Sequence, residues 1–238
     1  MSESNRVVII GGTSGIGLVT AQYLKNKGYE LIVAGRRSTD IERIETFKVD
    51  ICSEESVAEL FNVSLKHYDD INALVYSAGI AAPQRKIENF DKDLWDNIIA
   101  TNVTGALLTL KYSFNVLKRN RGRAVIVNSL AARRCSELSG MEYTASKAAL
   151  GALVRQLSIE WASDNVLINS VYPGMTMTPM LAENVSKDKL KEIEGKIPLG
   201  RIARPEEIAR VIEFLINPEN AYMTGTGIDV CGGQYLNG

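Results

Sequence analysis

The chain has 238 residues, of which 45% are hydrophobic and 23% are charged, a balance typical of a globular protein rather than a disordered one. Lysine plus arginine total 27 and aspartate plus glutamate total 28, for a net charge of −1. This charge argues against a nucleic-acid-binding protein, which normally carries a basic excess. The single histidine, His67, and the widely spaced cysteines Cys52, Cys135 and Cys231 argue against a metal site.

The same composition bears on where the protein resides. No apolar run approaches the ~20 residues of a membrane span, and the N-terminus does not resemble a secretion signal. An odd number of cysteines without a disulfide framework suits a reducing compartment. We therefore expect a cytoplasmic protein with no membrane partner.

Short apolar runs alternate with longer amphipathic segments along the chain. The runs predict seven strands, at residues 7–10, 31–34, 47–51, 74–76, 124–127, 167–171 and 227–230. The longer segments predict helices at residues 15–27, 53–67, 93–118, 141–163 and 205–216. Apolar strands separated by helices are typical of a parallel sheet covered on both faces. The sequence therefore predicts a doubly wound α/β fold, forming one domain over residues 1–238.

A glycine-rich turn follows the first predicted strand and leads into the first helix, where open α/β sheets bind ligands. It comprises Gly11, Gly12, Thr13, Ser14, Gly15, Ile16 and Gly17. Glycines let the backbone approach a phosphate closely, and the helix N-terminus offers free N–H groups. The turn predicts a dinucleotide site; the alternative is an ordinary glycine-rich turn.

The second predicted strand is followed by Arg36 and Arg37. An acidic residue at this place would bind the 2′-hydroxyl of NAD, whereas an arginine can pair with the 2′-phosphate of NADP. Because no carboxylate is present to repel that phosphate, we expect NADP(H) to be preferred over NAD(H). The alternative is that both arginines belong to a solvated turn.

Tyr143 and Lys147 are four positions apart in a predicted helix and therefore share a face. The spacing alone is weak evidence, because Tyr23 and Lys27 repeat it in another helix. The first pair differs in its context, since Ser129 ends a predicted strand fourteen positions before Tyr143. We expect the intervening segment to fold back and bring the Ser129 hydroxyl near the phenol.

Taken together and in order, these motifs resemble those of the short-chain dehydrogenase/reductase family, in particular its 3-oxoacyl-(acyl-carrier-protein) reductase-like members. The resemblance extends from residue 6 to about residue 234. Besides the glycine-rich turn, it rests on Asp50, Ser77-Ala78-Gly79, Asn102, Ser129, Tyr143, Lys147, Pro173-Gly174, Thr178, Thr224-Gly225 and Gly232-Gly233. It implies a Rossmann-like fold and an oxidoreductase that uses a nicotinamide cofactor.

The resemblance also implies a role for each catalytic residue. Tyr143 corresponds to the general acid that protonates a carbonyl oxygen, and Ser129 to the hydroxyl that orients this oxygen. Lys147 corresponds to the residue that holds the nicotinamide ribose and, with the oxidised ring, lowers the pKa of the tyrosine. Asn102 corresponds to an asparagine that holds a water molecule linking this lysine to solvent. The alternatives for Ser129 and Asn102 are a polar strand end and a satisfied helix amide.

The resemblance places further residues at the two halves of the cofactor. Those at the adenine half are Asp50, Ile51, Ala78 and Gly79, and those at the nicotinamide half are Pro173, Gly174, Thr176 and Thr178, with Tyr143 and Lys147. The Asp50 carboxylate corresponds to the group that accepts from the adenine amino group. The alternatives are a turn-forming aspartate at position 50 and a plain loop after Gly174.

We therefore expect a reversible NADPH-dependent enzyme that reduces a small-molecule carbonyl to an alcohol. One alternative is an NAD-dependent dehydrogenase acting on a cyclic diol or a sugar. Another is a non-catalytic cofactor sensor, which the intact Ser129, Tyr143 and Lys147 disfavour. The substrate stays open among a 3-oxoacyl thioester, a ketone, a sugar and a dihydrodiol. Arg133 and Arg134 either favour an anionic substrate or carry solvated charge.

Two expectations concern larger parts of the chain. Residues 175–198 are expected to form a substrate lid with adaptable apolar contacts from Met175, Met177, Met180 and Leu181. The helices at 93–118 and 141–163 correspond to those that pair in dimers and tetramers of the family. The resemblance thus implies a homo-oligomer.

Overall fold

The computed structural model describes residues 5–36, 41, 44–66 and 68–236. Its centre is a seven-stranded sheet of order β3-β2-β1-β4-β5-β6-β7, in which neighbouring strands are parallel. The strands are β1 (Arg6–Ile10), β2 (Glu30–Gly35), β3 (Glu45–Lys48), β4 (Ile71–Tyr76), β5 (Arg123–Val127), β6 (Leu167–Pro173) and β7 (Gly227–Val230).

The side chains of the strands alternate between two apolar cores, one on each face of the sheet. In β1, Val8 and Ile10 pack in the first core, while Val7 and Ile9 pack in the second. This alternation follows from the period of two of a strand. Because both faces are buried, the strands appear in the sequence as unbroken apolar runs.

Helices cover both faces and complete the two cores. They are α1 (Gly15–Asn26), α2 (Glu54–Glu59), α3 (Lys92–Ile99), α4 (Gly105–Arg119), α5 (Met141–Ala162), α6 (Pro179–Asn184), α7 (Lys187–Lys196) and α8 (Pro205–Ile216). Leu110 of α4 and Leu150 of α5 pack in the first core, and Leu24 of α1 and Ile212 of α8 in the second. Each such side chain stabilises the fold by about 1.5–3 kcal/mol. The expected doubly wound α/β fold is confirmed.

The chain winds outward in both directions from β1, which lies between β2 and β4. Loops that follow β1 and β4 therefore diverge and leave a crevice at the carboxyl ends of these strands. The N–H of Ser77 donates to the carbonyl oxygen of Ile10 over 2.8 Å and joins the two strand ends. The crevice lies where the predicted site residues follow their strands. None of the described helices is long and apolar enough to cross a membrane.

The third strand was predicted at residues 47–51 and is found at Glu45–Lys48, so it starts two residues earlier and ends three residues earlier. Its neighbour β2 ends at Gly35, which pairs with Lys48. Beyond that pair, β2 offers no further residue with which β3 could pair. Apolar residues continue along the chain past the point at which the neighbouring strand ends. The prediction followed them and was therefore wrong about where the third strand ends.

The long helix predicted at residues 93–118 is interrupted in its middle. A π-helical turn, Ala100–Thr104, joins α3 to α4 and carries Asn102. Such turns insert one extra residue into a helix and are frequent at functional sites. The helix predicted at residues 53–67 is also shorter than expected, since α2 ends at Glu59 and continues as a second π-helical turn, Leu60–Ser64.

Candidate active site

A cleft of about 1040 Å³ opens at the carboxyl ends of the strands, at the upper end of the range for ligand sites. Most predicted site residues line it: Gly11, Thr13, Ser14, Gly15, Ile16, Arg36, Asp50, Ile51, Ala78, Gly79, Ser129, Tyr143, Lys147, Pro173, Gly174, Thr176 and Thr178. Gly17 and Asn102 do not line it. Arg37 lies outside the described residues.

The glycine-rich turn is so closely packed that two of its glycines have no room for a side chain. A Cβ atom at Gly11 would lie 2.5 Å from the nitrogen of Ala78, and one at Gly17 would lie 2.3 Å from the oxygen of Gly11. Helix α1 begins at Gly15, and the preceding Ser14 makes no side-chain cap. The first N–H groups of α1 therefore remain available to an anion. This cradle fits the pyrophosphate of a dinucleotide.

Asp50 and Arg36 line the cleft near the glycine-rich turn, and both are exposed. The Asp50 carboxylate accepts from the N–H of Cys52 over 3.0 Å, and the Asp50 N–H donates to the hydroxyl of Ser56 over 3.0 Å. These bonds hold the turn after β3. Arg36 forms no ion pair with any residue in the described ranges.

Ser129, Tyr143 and Lys147 meet in the cleft. The Ser129 hydroxyl accepts from the N–H of Ala131 over 3.1 Å and caps the short 3₁₀ turn that follows β5. Tyr143 and Lys147 share one face of α5, with Nζ of Lys147 5.7 Å from the centre of the Tyr143 ring. The Ser129 hydroxyl lies close enough to the Tyr143 hydroxyl to lower the pKa of the phenol. The segment between Ser129 and Tyr143 therefore folds back as expected.

Burial controls the acidity of both α5 residues. Lys147 is 4% exposed, and burial lowers its pKa to about 8 because low-polarity surroundings disfavour the charged form. Burial raises the pKa of Tyr143, and the hydrogen bond with Ser129 lowers it in part. The lowering expected from Lys147 together with the oxidised nicotinamide ring stays a prediction. The loss of phenolate hydration outweighs the hydrogen bond.

Asn102 is completely buried, and three hydrogen bonds hold its side chain. Its Oδ1 accepts from the N–H of Ile80 over 2.8 Å, and its Nδ2 donates to the Ile80 carbonyl and to the Ser146 hydroxyl, each over 2.9 Å. A Cβ atom at Gly79 would lie 3.2 Å from this Oδ1 and 3.5 Å from Nζ of Lys147. Asn102 therefore ties the loop after β4 to α5 beside Lys147. The water molecule expected at Asn102 stays a prediction.

The loop after β6 lies beside the glycine-rich turn. Thr176 is buried, and its hydroxyl donates to the carbonyl oxygen of Gly174 over 3.0 Å. The Cγ2 atom of Thr178 lies 3.8 Å from the position that a Cβ atom of Gly15 would take. The two predicted halves of the cofactor site therefore belong to one continuous cleft.

Gln234 also lines the cleft, although it was not predicted as a site residue. Its Oε1 accepts from the N–H of Met175 over 2.9 Å, and its carbonyl oxygen accepts from Nη1 of Arg134 over 2.9 Å. A Cβ atom at Gly174 would lie 2.3 Å from Oε1 of Gln234, so the glycine permits this contact. Gln234 follows the double glycine of the C-terminal motif, but no pattern in the sequence distinguishes it from its polar neighbours. Ser146, which holds Asn102, was missed for the same reason.

Arg133 and Arg134 are both engaged with carboxylates of the described chain. Nε of Arg133 lies 3.3 Å from Oδ1 of Asp229, and its guanidinium lies 3.9 Å from the centre of the Tyr172 ring. Nη2 of Arg134 donates to Oε1 of Glu137 over 3.0 Å. These pairings disfavour the alternative in which the two arginines recruit an anionic substrate.

Comparison with known proteins agrees with the motifs and the fold. A family model described as enoyl-(acyl carrier protein) reductase matches residues 11–234. The 3-oxoacyl-(acyl-carrier-protein) reductase of Aquifex aeolicus (strain VF5) is 32% identical, over 96% of this chain and 96% of its own. The cis-4-hydroxycyclohexanecarboxylate dehydrogenase of Sinomonas cyclohexanicum is 28% identical, over 95% of this chain and 94% of its own. A variant of actinorhodin polyketide ketoreductase, solved with NADPH, is 26% identical, covers 98% of each chain and superposes with a TM-score of 0.90.

The matched range begins in the glycine-rich turn and ends at Gln234, so it includes every part of the cleft described above. The relatives are oxidoreductases of alcohol or ketone groups by their names. The chain therefore belongs to the short-chain dehydrogenase/reductase family and is an oxidoreductase that acts on such groups with a nicotinamide cofactor.

Proposed function

We propose that this enzyme is an NADPH-dependent carbonyl reductase that also runs in reverse as an alcohol dehydrogenase. The observation that carries the proposal is the meeting of Ser129, Tyr143 and Lys147 in the same cleft as the glycine-rich turn. Reduction of a carbonyl needs a hydride at carbon and a proton at oxygen. The cleft combines a cradle for a dinucleotide with a phenol that can give the proton.

In this proposal bound NADPH supplies the hydride to the carbonyl carbon. Ser129 donates a hydrogen bond to the carbonyl oxygen, and Tyr143 transfers its phenolic proton to that oxygen as negative charge develops there. The phenol of Tyr143 is protonated at neutral pH, as a proton donor must be, and burial raises its pKa further. Lys147 lies beside the phenolate that remains and stabilises it by its charge.

Arg36 is the residue proposed to select NADPH over NADH. Its exposed guanidinium lines the cleft close to the glycine-rich turn. No ion pair of Arg36 is found within the described ranges, and a guanidinium can bind a phosphate bidentately. The lining residues with carboxylates are Asp50 and Glu137. The family resemblance assigns Asp50 to the adenine amino group. Arg37 is also proposed to bind the cofactor, and it lies outside the described residues.

Cofactor affinity tests this proposal directly. Purified protein is titrated with NADPH and with NADH, and binding is followed by nicotinamide fluorescence. We expect NADPH to bind more tightly, and Arg36→Ala to lose about tenfold or more of this advantage because a charge-assisted pair is worth about 1.5–3 kcal/mol. Arg210→Ala, which removes an exposed arginine of α8, is the matched control. A preference for NADH, or an unchanged NADPH affinity in Arg36→Ala, contradicts the assignment.

Measurements of turnover test whether the enzyme reduces carbonyl groups. NADPH consumption with a panel of ketones should show carbonyl reduction. Preferred NADH binding together with oxidation of a cyclic alcohol would instead support the NAD-dependent dehydrogenase of a cyclic diol or sugar. The relative from Sinomonas, whose name denotes oxidation of a hydroxycyclohexane ring, favours keeping this second candidate.

We further propose a cytoplasmic homo-oligomer, a dimer or a tetramer. Ile159 of α5 is 78% exposed and Leu107 of α4 is 39% exposed, so both helices present apolar side chains that a second copy would cover. The three cysteines are free thiols, in keeping with a reducing compartment. A monomeric mass in light scattering would contradict the oligomer.

A further inference from the structure

The substrate end of the cleft is the part lined by residues 134–139, the lid residues 175–198 and Gln234. Apart from Thr176, Thr178 and Lys196, the lid residues that line it are apolar. Met175, Leu181, Val185 and Ile193 line the cleft there and pack into one apolar cluster, which Leu138 of the facing loop joins. Ile193 is fully buried in this cluster. The lid thus offers aliphatic and thioether surface where the body of a substrate would rest.

The cations of the substrate end are already paired. Arg134 donates to Oε1 of Glu137 over 3.0 Å and to the Gln234 carbonyl over 2.9 Å. Nζ of Lys196 lies 3.3 Å from Oε2 of Glu137 and 2.8 Å from Oε1 of Glu192. The Glu137 carboxylate therefore stands between the two cations that line this end. No other cation from residues 134–139 or 175–198 lines the cleft in the described chain.

These pairings have a consequence for specificity. An incoming carboxylate or phosphate would approach Arg134 and Lys196 beside the Glu137 carboxylate, and it would compete with their existing ion pairs. Repulsion between the Glu137 carboxylate and the incoming anion would weaken binding of that anion. A sugar would place some of its hydroxyls against the apolar lid residues, where those hydroxyls would lose hydrogen bonds with water.

We propose that the substrate is an uncharged ketone with an apolar body, seated on the lid with its carbonyl oxygen at Ser129 and Tyr143. This inference rests on the proposed reductase function and narrows its substrate class. Glu137 acts as the specificity-determining residue, because its carboxylate pairs with both cations that would otherwise attract an anionic ketone.

A matched pair of ketones tests the inference. Methyl 4-oxocyclohexanecarboxylate and 4-oxocyclohexanecarboxylate share one ring and differ mainly in charge. We expect kcat/KM with NADPH to be about tenfold or more higher for the ester, with glucose reduced more slowly than either. An acid that is reduced as well as the ester, or an aldose that is preferred, overturns the proposal.

Glu137→Gln connects the preference to its proposed cause. The variant leaves Arg134 and Lys196 without their shared carboxylate, so the ratio of ester to acid kcat/KM should fall about tenfold. Glu192→Gln is the control, because Glu192 pairs with the same Lys196 but does not line the cleft. An equal fall in both variants, or no fall in Glu137→Gln, overturns the role of Glu137.

Binding separates this inference from the proposed function. Both ketones are titrated into the complex of the protein with NADP⁺, and binding is measured by calorimetry. Tighter binding of the ester supports the substrate class even where no turnover is seen, a result that would count against the reductase only. Binding of neither ketone, or tighter binding of the acid, overturns the substrate class.

Discussion

The ammonium group of Lys147 donates a 3.1 Å hydrogen bond to the carbonyl oxygen of Val127, the last residue of β5. This bond ties the middle of α5 to the end of a central strand and places a buried cation beside Tyr143. Val127 is its one hydrogen-bond acceptor among the described residues. A buried ammonium with so little compensation loses much of its hydration energy, and its pKa falls to about 8 as a result.

The lowered pKa of Lys147 predicts a specific dependence of stability on pH. The unfolded chain keeps the lysine proton up to about pH 10.5, whereas the folded chain releases it above about pH 8. Unfolding therefore takes up a proton in this window, and the Lys147 contribution to the free energy of unfolding rises with pH by about 2–3 kcal/mol. Lys147→Met removes the effect, so the variant should exceed the wild type in stability most at pH 7 and least at pH 10.

Urea denaturation at several pH values measures this difference. The control is Lys27→Met, because Lys27 has the same spacing from a tyrosine but is exposed. The same pH trend in both differences would show that the effect does not come from the buried ammonium group.

Tyr143→Phe should reduce turnover by about 100- to 10,000-fold, the usual contribution of a positioned proton donor. The ring and its packing are kept, so NADPH affinity should change little. Steady-state kinetics and fluorescence titration check the two halves of this prediction. Tyr23→Phe is the control from the second tyrosine–lysine pair and should keep full turnover. Substantial activity in Tyr143→Phe would defeat the assignment of the proton donor.

Gly17→Ala should both destabilise the protein and weaken NADPH binding. The new methyl group would lie 2.3 Å from the carbonyl oxygen of Gly11, so the turn must shift, at a cost of about 1–3 kcal/mol. Gly195→Ala in α7 is the opposite case, because nothing lies within 4 Å of its Cβ position. It should stabilise the helix by about 0.5–1 kcal/mol. Thermal melts that show no difference between the two variants would refute the close packing of the turn.

Gln234→Met should lower kcat/KM about tenfold, because it leaves the N–H of Met175 without its acceptor at a cost of about 1–2 kcal/mol. Gln234→Glu keeps an oxygen at the same distance along the side chain and should restore most of the activity. Steady-state kinetics of both variants measures the effect. Equal losses in the two variants would mean that activity depends on the shape of the side chain at position 234 and not on its hydrogen bond with Met175.

The two tyrosine–lysine pairs show what the sequence can predict about these side chains and what it cannot. Nζ of Lys27 lies 5.7 Å from the centre of the Tyr23 ring, the same distance as in the pair of Tyr143 and Lys147. Local helix geometry makes both pairs alike, as their spacing predicts. Only in the second pair is the lysine buried, donating to the Val127 carbonyl at the end of β5, and only there does the tyrosine lie close to Ser129. The order of the motifs along the chain predicted that Tyr143 and Lys147 form the catalytic pair. Burial then shifts the pKa values of these two side chains away from their usual values.

The sequence by itself determined the α/β class, the glycine-rich turn and the positions after the strands, because these depend on local periodicity and on the conformational freedom of glycine. The π-helical turn at Asn102, the end of β3 and the direction of the Tyr143 pKa shift were decided by the tertiary structure. So were the contact of Gln234 with Met175 and the pairing of Glu137 with Arg134 and Lys196. These features join residues that are distant in the chain, and their energies come from packing and desolvation, which no local pattern records.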